Sequence, residues 1–514
     1  MKARGPKLPP GQGADVTLIL EGTYPFVSGG VSSWVHQIIK GLPEIRFSLV
    51  FIGGQPDKHE KMRFELPPNV VHLQEHYLSD VSKQQRVVSR RGDEAFYAAS
   101  SKLHDAFRSQ GAGAFADIGP MLDGVARSLL ADPKKHELDF LFSELAWEEI
   151  CRRYEGSAED RSFVEYFWTI RSMHAPLFVM ARAVPSIPPT RALHVISTGF
   201  AGFMAALLSK ARNIPMILTE HGIYTKERRI ELLQASWIKE DDSVSAAMEG
   251  ASIGFFRQLW IRFFEALGKM TYAAADPIIA LYEGNRTRQI KDGAMHSRTQ
   301  VVPNGIDLAR FIPLRSKRAP KVPKVIGLIG RVVPIKDIKT FIRATRIVCN
   351  ELPDVEAWLV GPEDEDQNYA LECHDLVRNL GLENKLKFLG FQKVDDIYPQ
   401  LGLNVLTSIS EAQPLVILEG FAAGTPSVAS DVGCCRELIE GVEPEDRALG
   451  FAGATVDIAD PGATARATIA LLGDEKRWFA AQRAGIERVE RYYTQKQMLD
   501  NYRGIYTEAL TRHG

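Results

Sequence analysis

Short apolar runs alternate with amphipathic segments in two parts of the chain, and this alternation restricts the fold more than any other feature. In the first part, strand-length runs occupy residues 15–22, 47–53, 193–199, 215–220 and 276–281. In the second part, they occupy residues 324–330, 355–361, 385–390 and 403–408. Strands that are joined through helices form parallel sheets with right-handed crossovers. The sequence therefore predicts an α/β protein with two domains, which a length of 514 residues also favours.

The domain boundaries follow from two interruptions of this pattern. Between about residues 77 and 188 helical periodicity dominates, which predicts a helical insertion in the first domain. Acceptor recognition, partner docking and a purely structural cap are all open interpretations of the insertion. Three prolines with lysines and arginines at 313–323 are typical of a linker. We expect domains at 1–312 and 313–492, and a last helix within 493–514 that packs back on the first domain.

Composition and charge exclude several classes of function. The chain has 62 basic and 64 acidic residues, which gives no electrostatic basis for binding nucleic acid. Its 45% apolar and 25% charged residues are typical of a soluble globular protein. Neither a signal peptide nor a run of about 20 apolar residues is evident, so we expect a cytoplasmic protein. The five cysteines include no C-x-x-C pair, which favours incidental thiols over metal or redox chemistry.

Two glutamates, Glu411 and Glu419, flank the start of a predicted helix in the second domain. Pro414 suits the first helical position, where a missing N–H costs nothing. The amides of Leu415 and Val416 are then free to bind an anion, most often a phosphate. Carboxylates on both sides of such a site indicate a ligand with hydroxyls at both ends of a diphosphate, such as a nucleotide sugar. A solvated helix with two surface glutamates is the alternative.

Two basic side chains, Arg331 and Lys336, follow the first strand of the second domain. Because the carboxyl ends of parallel strands line the ligand crevice of an open sheet, we expect both near the two glutamates. Arginine supplies a fork of donors and lysine a point charge for a diphosphate.

The first domain carries its own candidates after its predicted strands. Gly29 and Gly30 open a helix and would let the backbone approach a ligand closely. His221 follows the strand at 215–220, where it is placed to touch a substrate. A tight turn and a structural histidine are the alternative interpretations.

Together these motifs resemble the retaining GT-B glycosyltransferases of family GT4. That family has a G-R-x4-K loop, which is Gly330 to Lys336 here, and an E-x7-E motif, which is Glu411 to Glu419 here. The stretches at 304–307 and 432–439 match it too. Asp337 stands where the family commonly has glycine, and the pair at 434–435 is Cys-Cys where the family has small residues. The resemblance implies a GT-B fold, with two Rossmann-like domains facing across a cleft.

The resemblance also implies a role for each candidate residue. Arg331 and Lys336 neutralise the departing diphosphate, and the amides after Pro414 assist them. Glu419 binds the ribose, Glu411 orients the transferred sugar, and His221 forms a hydrogen bond with that sugar. Gly29 and Gly30 approach the phosphate or the acceptor, and Phe391 lines the base.

Within the family, the opening motif at 21–31 and the long insertion resemble the enzymes of Pel-type bacterial exopolysaccharide synthesis. This implies transfer of a hexose or N-acetylhexosamine from a UDP-sugar to a glycan acceptor, by same-face displacement with retention. It further implies membrane-embedded synthase or export subunits as partners, which recruit the protein to the inner membrane.

Neither a cofactor nor a metal is expected. Asp364-Glu365-Asp366 is a D-x-D pattern, but it lies in a charged loop, and Arg331 with Lys336 already supplies the counter-charges. A non-catalytic nucleotide-sugar sensor or scaffold remains the alternative function. A Rossmann dehydrogenase is disfavoured because the G-x-G-x-x-G fingerprint is lacking.

Overall fold

The computed structural model of the chain describes residues 5–56, 61–80, 89–108, 118–235, 237–238 and 253–511. The chain divides into two compact units, Met1–Val301 with Tyr502–Gly514, and Val302–Asn501. Each unit is built on one parallel sheet with helical crossovers. The predicted α/β class with two Rossmann-like domains is confirmed.

The sheet of the first unit has seven strands in the order β3-β2-β1-β4-β5-β6-β7. Its strands are β1 (Ala14–Glu21), β2 (Phe47–Gly53), β3 (Val70–Tyr77), β4 (Thr190–Val195), β5 (Met216–Glu220), β6 (Ile278–Ala280) and β7 (Thr299–Val301). The strand order reverses between β1 and β4, and ligands of open parallel sheets bind at such a switch point. Loops that leave β1, β4 and β5 therefore share one edge of the sheet.

The helices of this unit cover the sheet and also build the predicted insertion. They are α1 (Gly30–Gly41), α2 (Glu94–Arg108), α3 (Ile118–Ala131), α4 (Pro133–Phe142), α5 (Glu144–Glu155), α6 (Phe163–Ala183), α7 (Phe200–Arg212), α8 (Tyr224–Gln234), α9 (Phe255–Ala274) and α10 (Glu283–Lys291). The insertion consists of α2 to α6, and its α3 and α6 pack against α7 and α9. Buried Leu122 and Met173 of the insertion belong to the same core as Ile19 of β1. The insertion is therefore part of the core of this unit.

The sheet of the second unit has six strands in the order β10-β9-β8-β11-β12-β13. Its strands are β8 (Val325–Ile329), β9 (Glu356–Val360), β10 (Leu386–Gly390), β11 (Leu403–Leu406), β12 (Ser427–Ser430) and β13 (Gly453–Val456). The helices of the unit, of which the last continues into the first unit, are α11 (Leu308–Arg315), α12 (Ile338–Glu351), α13 (Gln367–Asn379), α14 (Val394–Ile397), α15 (Leu415–Ala422), α16 (Cys435–Glu440), α17 (Pro444–Arg447), α18 (Pro461–Leu472), α19 (Glu475–Tyr492) and α20 (Gln495–Thr511). The strand order reverses between β8 and β11.

In the structure the first unit ends at Val301 and the second begins at Val302. The sequence pattern predicts this boundary later, at 312, with a linker at 313–323. Part of that predicted linker is helical, because α11 runs to Arg315. The side chain of Arg315 donates to the Ala422 carbonyl at 2.7 Å, and that of Arg318 donates to the Leu401 carbonyl at 2.6 Å. These contacts hold the proline-containing segment within the second unit.

The end of α20 belongs to the first unit. Tyr502 and Tyr506 are fully buried there, and the Tyr506 hydroxyl lies 2.6 Å from Nδ1 of His194 on β4. The Tyr502 hydroxyl lies 3.0 Å from that of Thr219 on β5. Among the described residues, none of the helices combines the length and apolar character that a bilayer crossing needs.

Arg488 of α19 is fully buried and holds together the end of α16 and the segment that follows it. Its Nε donates to Oδ1 of Asp446 at 2.6 Å. Its terminal nitrogens donate to the carbonyls of Ile439 at 2.7 Å and of Gly450 at 2.9 Å. A buried ion pair is costly to break from one side, because the remaining charge has neither partner nor water.

We expect Arg488→Ala to lower the free energy of unfolding by about 3–5 kcal/mol, since it leaves Asp446 uncompensated. Urea denaturation followed by circular dichroism measures this. The control is Arg491→Ala, which removes the half-exposed ion pair of Arg491 with Glu487 on the same helix. Equal losses for the two variants would contradict a special role of Arg488.

Candidate active site

The loops that follow β8 and β11 are bonded to each other at the switch point of the second sheet. The Thr407 hydroxyl lies 3.0 Å from the carbonyl oxygens of both Lys336 and Asp337. The Ile409 amide donates to the Ile335 carbonyl at 2.9 Å. All three bonds end on backbone carbonyls of the loop after β8, so they fix where the side chains of that loop emerge relative to β11.

Lys336 and Glu411 form an ion pair in this place. The Lys336 ammonium lies 2.5 Å from Oε1 of Glu411, and the Ser408 hydroxyl donates to the same oxygen at 2.7 Å. The two charged side chains are only 21% and 15% exposed, so water screens their interaction less than at an open surface. The structure thus brings together two of the residues that the sequence motifs predicted to act together.

Helix α15 begins at Leu415, directly after the loop that carries Glu411. Pro414 is the N-cap and not, as predicted, the first helical residue, because its backbone is extended with ψ 111°. Amides of the first helical turn have no partner within the helix, and the partly exposed Leu415 and Val416 belong to this turn. Glu419 is the fifth residue of α15, so it lies just over one turn into the helix.

Glu419 is held by a tyrosine that the sequence did not point to. The Tyr398 hydroxyl lies 3.1 Å from Oε2 of Glu419 and 3.0 Å from the Val416 carbonyl oxygen. Burial raises the pKa of the Glu419 carboxyl to about 7, although the Tyr398 hydrogen bond and the Arg310 charge oppose this shift. Glu419 therefore titrates near neutral pH.

A turn around Gly433 packs against the backbone of the loop that carries Glu411. Gly433 has φ +56°, and a Cβ on it would come within 2.5 Å of the Glu411 carbonyl oxygen and 2.3 Å of that of Ala412. The next amide, of Cys434, donates to the Ala412 carbonyl at 2.9 Å. Burial, with the Glu411 charge second, raises the pKa of the Cys435 thiol to about 12. Glycine is thus required by both backbone conformation and space at position 433.

Asp337, where the resembling family has glycine, occupies a left-handed conformation with φ 44°. Aspartate is among the residues that tolerate this region. Its side chain accepts from the Thr340 amide at 3.3 Å and so caps α12. The departure from glycine therefore keeps the backbone geometry and adds a helix cap.

The remaining predicted residues of the second unit are Arg331 and Phe391, which lie on the loops after β8 and β10. Arg331 follows β8, is about half exposed, and pairs with Glu365 at 2.5 Å. Phe391 is 83% exposed and follows β10, the edge strand that β9 separates from β8. The strand order alone therefore does not bring Phe391 to the switch point, and its predicted contact with a base stays a prediction.

In the first unit, His221 follows β5 and packs against α1. Its ring meets Trp34 edge-on with a centroid distance of 4.6 Å. Its Nε2 is buried without a hydrogen-bond partner among the described residues. Burial lowers the pKa of His221 to about 4, so the ring is neutral at pH 7. A neutral imidazole can both donate and accept a hydrogen bond.

Gly29 and Gly30 open the helix that carries Trp34. Gly29 is the N-cap of α1, and both glycines are exposed. A Cβ on either would meet no described atom within 4 Å. Packing within the described part of this unit therefore does not require glycine at these two positions.

Glu220, the residue before His221, is a further candidate that the sequence motifs do not include. It is 1% exposed, and its Oε2 accepts from the Tyr272 hydroxyl at 2.7 Å and from Gln289 at 3.0 Å. Burial raises the pKa of its carboxyl to about 7. The available signal was its position as the last residue of a parallel strand, at the edge where ligands bind.

Among the described residues, no three histidine, cysteine, aspartate or glutamate side chains form a group that could hold a metal ion. That the reaction needs no metal stays a prediction.

Two family matches cover most of the chain. Residues 14–297 match the family described as "Domain of unknown function (DUF3492)". Residues 323–474 match "Glycosyl transferases group 1", and this range contains Arg331, Lys336, Glu411 and Glu419.

Curated relatives resemble part of the chain. A D-inositol 3-phosphate glycosyltransferase from Salinispora tropica is 30% identical over 237 residues, which are 42% of this chain and 47% of that protein. A phosphatidyl-myo-inositol mannosyltransferase from Mycolicibacterium smegmatis is 30% identical over 206 residues, which are 39% of this chain and 49% of that protein. The chain spans about half the length of the curated relatives it matches.

Solved structures with the same fold cover nearly the whole chain. Sucrose-phosphate synthase from Thermosynechococcus elongatus has a TM-score of 0.58 at 16% identity, over 96% of this chain and 99% of that one. Anabaena Alr3699/HepE in complex with UDP and glucose has a TM-score of 0.55 at 15% identity, with the same coverage. These neighbours establish GT-B as the fold.

We expect Gly433→Ala to destabilise the protein by more than the backbone strain of its positive φ. Its Cβ would collide with the carbonyls of Glu411 and Ala412, whereas at Gly381, with φ +61°, a Cβ meets no described atom within 4 Å. Gly381→Ala therefore measures the strain alone, about 1–2 kcal/mol. Thermal unfolding of both variants gives the comparison, and equal melting temperatures would contradict the proposed support of the Glu411 loop.

Proposed function

We propose that the chain, which belongs to the DUF3492 family, is a retaining glycosyltransferase that moves a hexose or N-acetylhexosamine from a UDP-sugar to a growing exopolysaccharide. The observation that carries the proposal is the Lys336–Glu411 pair beside the start of α15. It combines a cation for a diphosphate, helix amides for a phosphate and a carboxylate for sugar hydroxyls. The match of residues 323–474 to group 1 glycosyl transferases supports the class of reaction.

The donor is a UDP-sugar in this proposal. The HepE structure, which contains UDP and glucose in the same fold, supports this choice. The relatives are named for inositol glycosyl and mannosyl transfer, so they support transfer of a hexose but name other acceptors. An exopolysaccharide acceptor, and membrane-embedded synthase or export subunits as partners, rest on the resemblance of the opening motif and the insertion to Pel-type enzymes.

Departure of UDP is the step to which the second unit contributes most. Lys336 and Arg331 balance the negative charge that grows on the diphosphate, and the amides of Leu415 and Val416 add partial positive charge. Glu411 accepts hydrogen bonds from hydroxyls of the transferred sugar, and Glu419 accepts hydrogen bonds from the ribose hydroxyls. Such fixed charges lower the barrier because they need no reorganisation as the bond breaks.

Retention follows from attack on the same face from which UDP leaves. The acceptor hydroxyl gives its proton to the departing phosphate oxygen, and no metal takes part. In this proposal His221 forms a hydrogen bond with the transferred sugar. Gly29 and Gly30 permit close approach of a phosphate or acceptor to the start of α1.

Lys336→Ala and Arg331→Ala are expected to reduce turnover roughly 30- to 1000-fold, because each removes a charge-assisted contact to the leaving group. Glu411→Gln should also lower turnover, because a neutral amide is a weaker acceptor for the sugar hydroxyls than a carboxylate. Release of UDP from UDP-glucose and UDP-N-acetylglucosamine measures turnover, and circular dichroism checks the fold.

The matched control is Lys339→Ala, which removes a lysine that pairs with Glu372 on the surface of the same unit. Unchanged turnover in all three site variants would contradict the proposal. UDP binding without turnover in the wild type, with membranes from the source cells added, would instead favour a nucleotide-sugar sensor.

UDP affinity is expected to rise as the pH increases through 7, because an ionised Glu419 accepts the ribose hydroxyls better than a protonated one. The pKa of Glu419 near 7 sets this range. Calorimetric titration with UDP at pH 6, 7 and 8 measures the effect. Glu419→Gln removes the titrating group, and the same pH dependence in this variant would contradict the assignment.

A further inference from the structure

The Arg331 guanidinium is already engaged by a carboxylate from a neighbouring loop. Its Nη1 lies 2.5 Å from Oε1 and 2.6 Å from Oε2 of Glu365. Glu365 lies between β9 and α13, and β9 is the neighbour of β8 in the sheet. The two loops therefore leave the same edge side by side.

Backbone contacts fix these two loops relative to each other. The Gly330 amide donates to the Val360 carbonyl at 2.9 Å, and the Val332 amide donates to the Pro362 carbonyl at 3.0 Å. A Cβ at Gly361 would lie 2.0 Å from the Gly330 carbonyl oxygen, so the two backbone segments are too close there for any residue but glycine at position 361. The approach of Glu365 to Arg331 thus follows from the sheet and its loops.

Two residues of the D-x-D pattern, Glu365 and Asp366, make different contacts in the structure. Asp366 caps α13, because its side chain accepts from the Tyr369 amide at 3.0 Å. Glu365 is the counter-ion of Arg331. Glu365 and Asp366 are thus each engaged by a contact within the protein.

We propose that Glu365 competes with the donor diphosphate for Arg331 and so weakens donor and UDP binding. This inference rests on the proposed function. A guanidinium binds carboxylate and phosphate through the same fork of N–H donors, so a diphosphate must displace Glu365 to use it fully. UDP binding must break the ion pair of Arg331 with Glu365, which makes the net free energy of binding less favourable. When the pair forms again, it favours release of UDP.

The expected effect is modest because both partners are about half exposed, at 53% and 50%. Exposed ion pairs are worth little in water, so removing this competitor should tighten UDP binding about 2- to 5-fold. Dissolved salt screens exposed charges, so the gain should shrink in about 1 M salt, where the Debye length is about 3 Å.

Glu365→Gln tests the inference by calorimetric titration with UDP at low salt. The matched control is Glu372→Gln, which also removes one negative charge and breaks an exposed ion pair, with Lys339 at 2.6 Å. We expect tighter UDP binding for Glu365→Gln and unchanged binding for Glu372→Gln. Weaker or unchanged binding in Glu365→Gln, or equal tightening in both variants, would overturn the inference.

A double-mutant cycle separates this inference from the function on which it rests. Arg331→Ala should weaken UDP binding, and adding Glu365→Gln to it should then have no effect. If Arg331→Ala weakens binding and Glu365→Gln alone does not tighten it, the inference fails and the proposed function stands. If Arg331→Ala leaves UDP binding unchanged, the assigned role of Arg331 fails, and the inference fails with it.

Discussion

The candidate active site depends on the hydrogen bonds between the loops after β8 and β11. Thr407 and Ile409 bind backbone carbonyls on either side of Lys336, and this places the lysine beside Glu411, 75 residues further along the chain. The sheet makes the contact possible, because β8 and β11 are neighbours at the point where the strand order reverses. A charge pair of this kind needs accurate placement, which the backbone bond of Ile409 and the short, buried side chain of Thr407 supply.

Two left-handed residues complete this support. Asp337 turns the chain into α12 and caps that helix, and Gly433 lets the next turn press against the Glu411 and Ala412 carbonyls. The first position accepts aspartate because its short side chain finds a hydrogen bond there. The second accepts only glycine, because a side chain would meet two carbonyl oxygens. One departure from the family pattern is thus explained by local geometry.

The sequence predicted those features that depend on local pattern. Buried parallel strands are continuous apolar runs, so β2 was predicted with its observed bounds, Phe47–Gly53. The edge strand β3 was missed, because its sequence VVHLQEHY mixes polar and apolar residues. The motifs predicted Lys336 with Glu411, but not the contact of Tyr398 with Glu419, which depends on which side chain a separate turn delivers to α15.

The surroundings of Cys434 and Cys435, which follow the Gly433 turn, determine how these thiols react with oxidants. Both are buried, and burial keeps the pKa of each thiol well above its usual value. The thiolate is the reactive form of cysteine, so these side chains act as small apolar fillers. Peroxide or an alkylating reagent reaches them only when the structure around them opens locally. Because the Cys434 amide donates to the Ala412 carbonyl, their rate of alkylation reports opening in the region that supports the loop carrying Glu411.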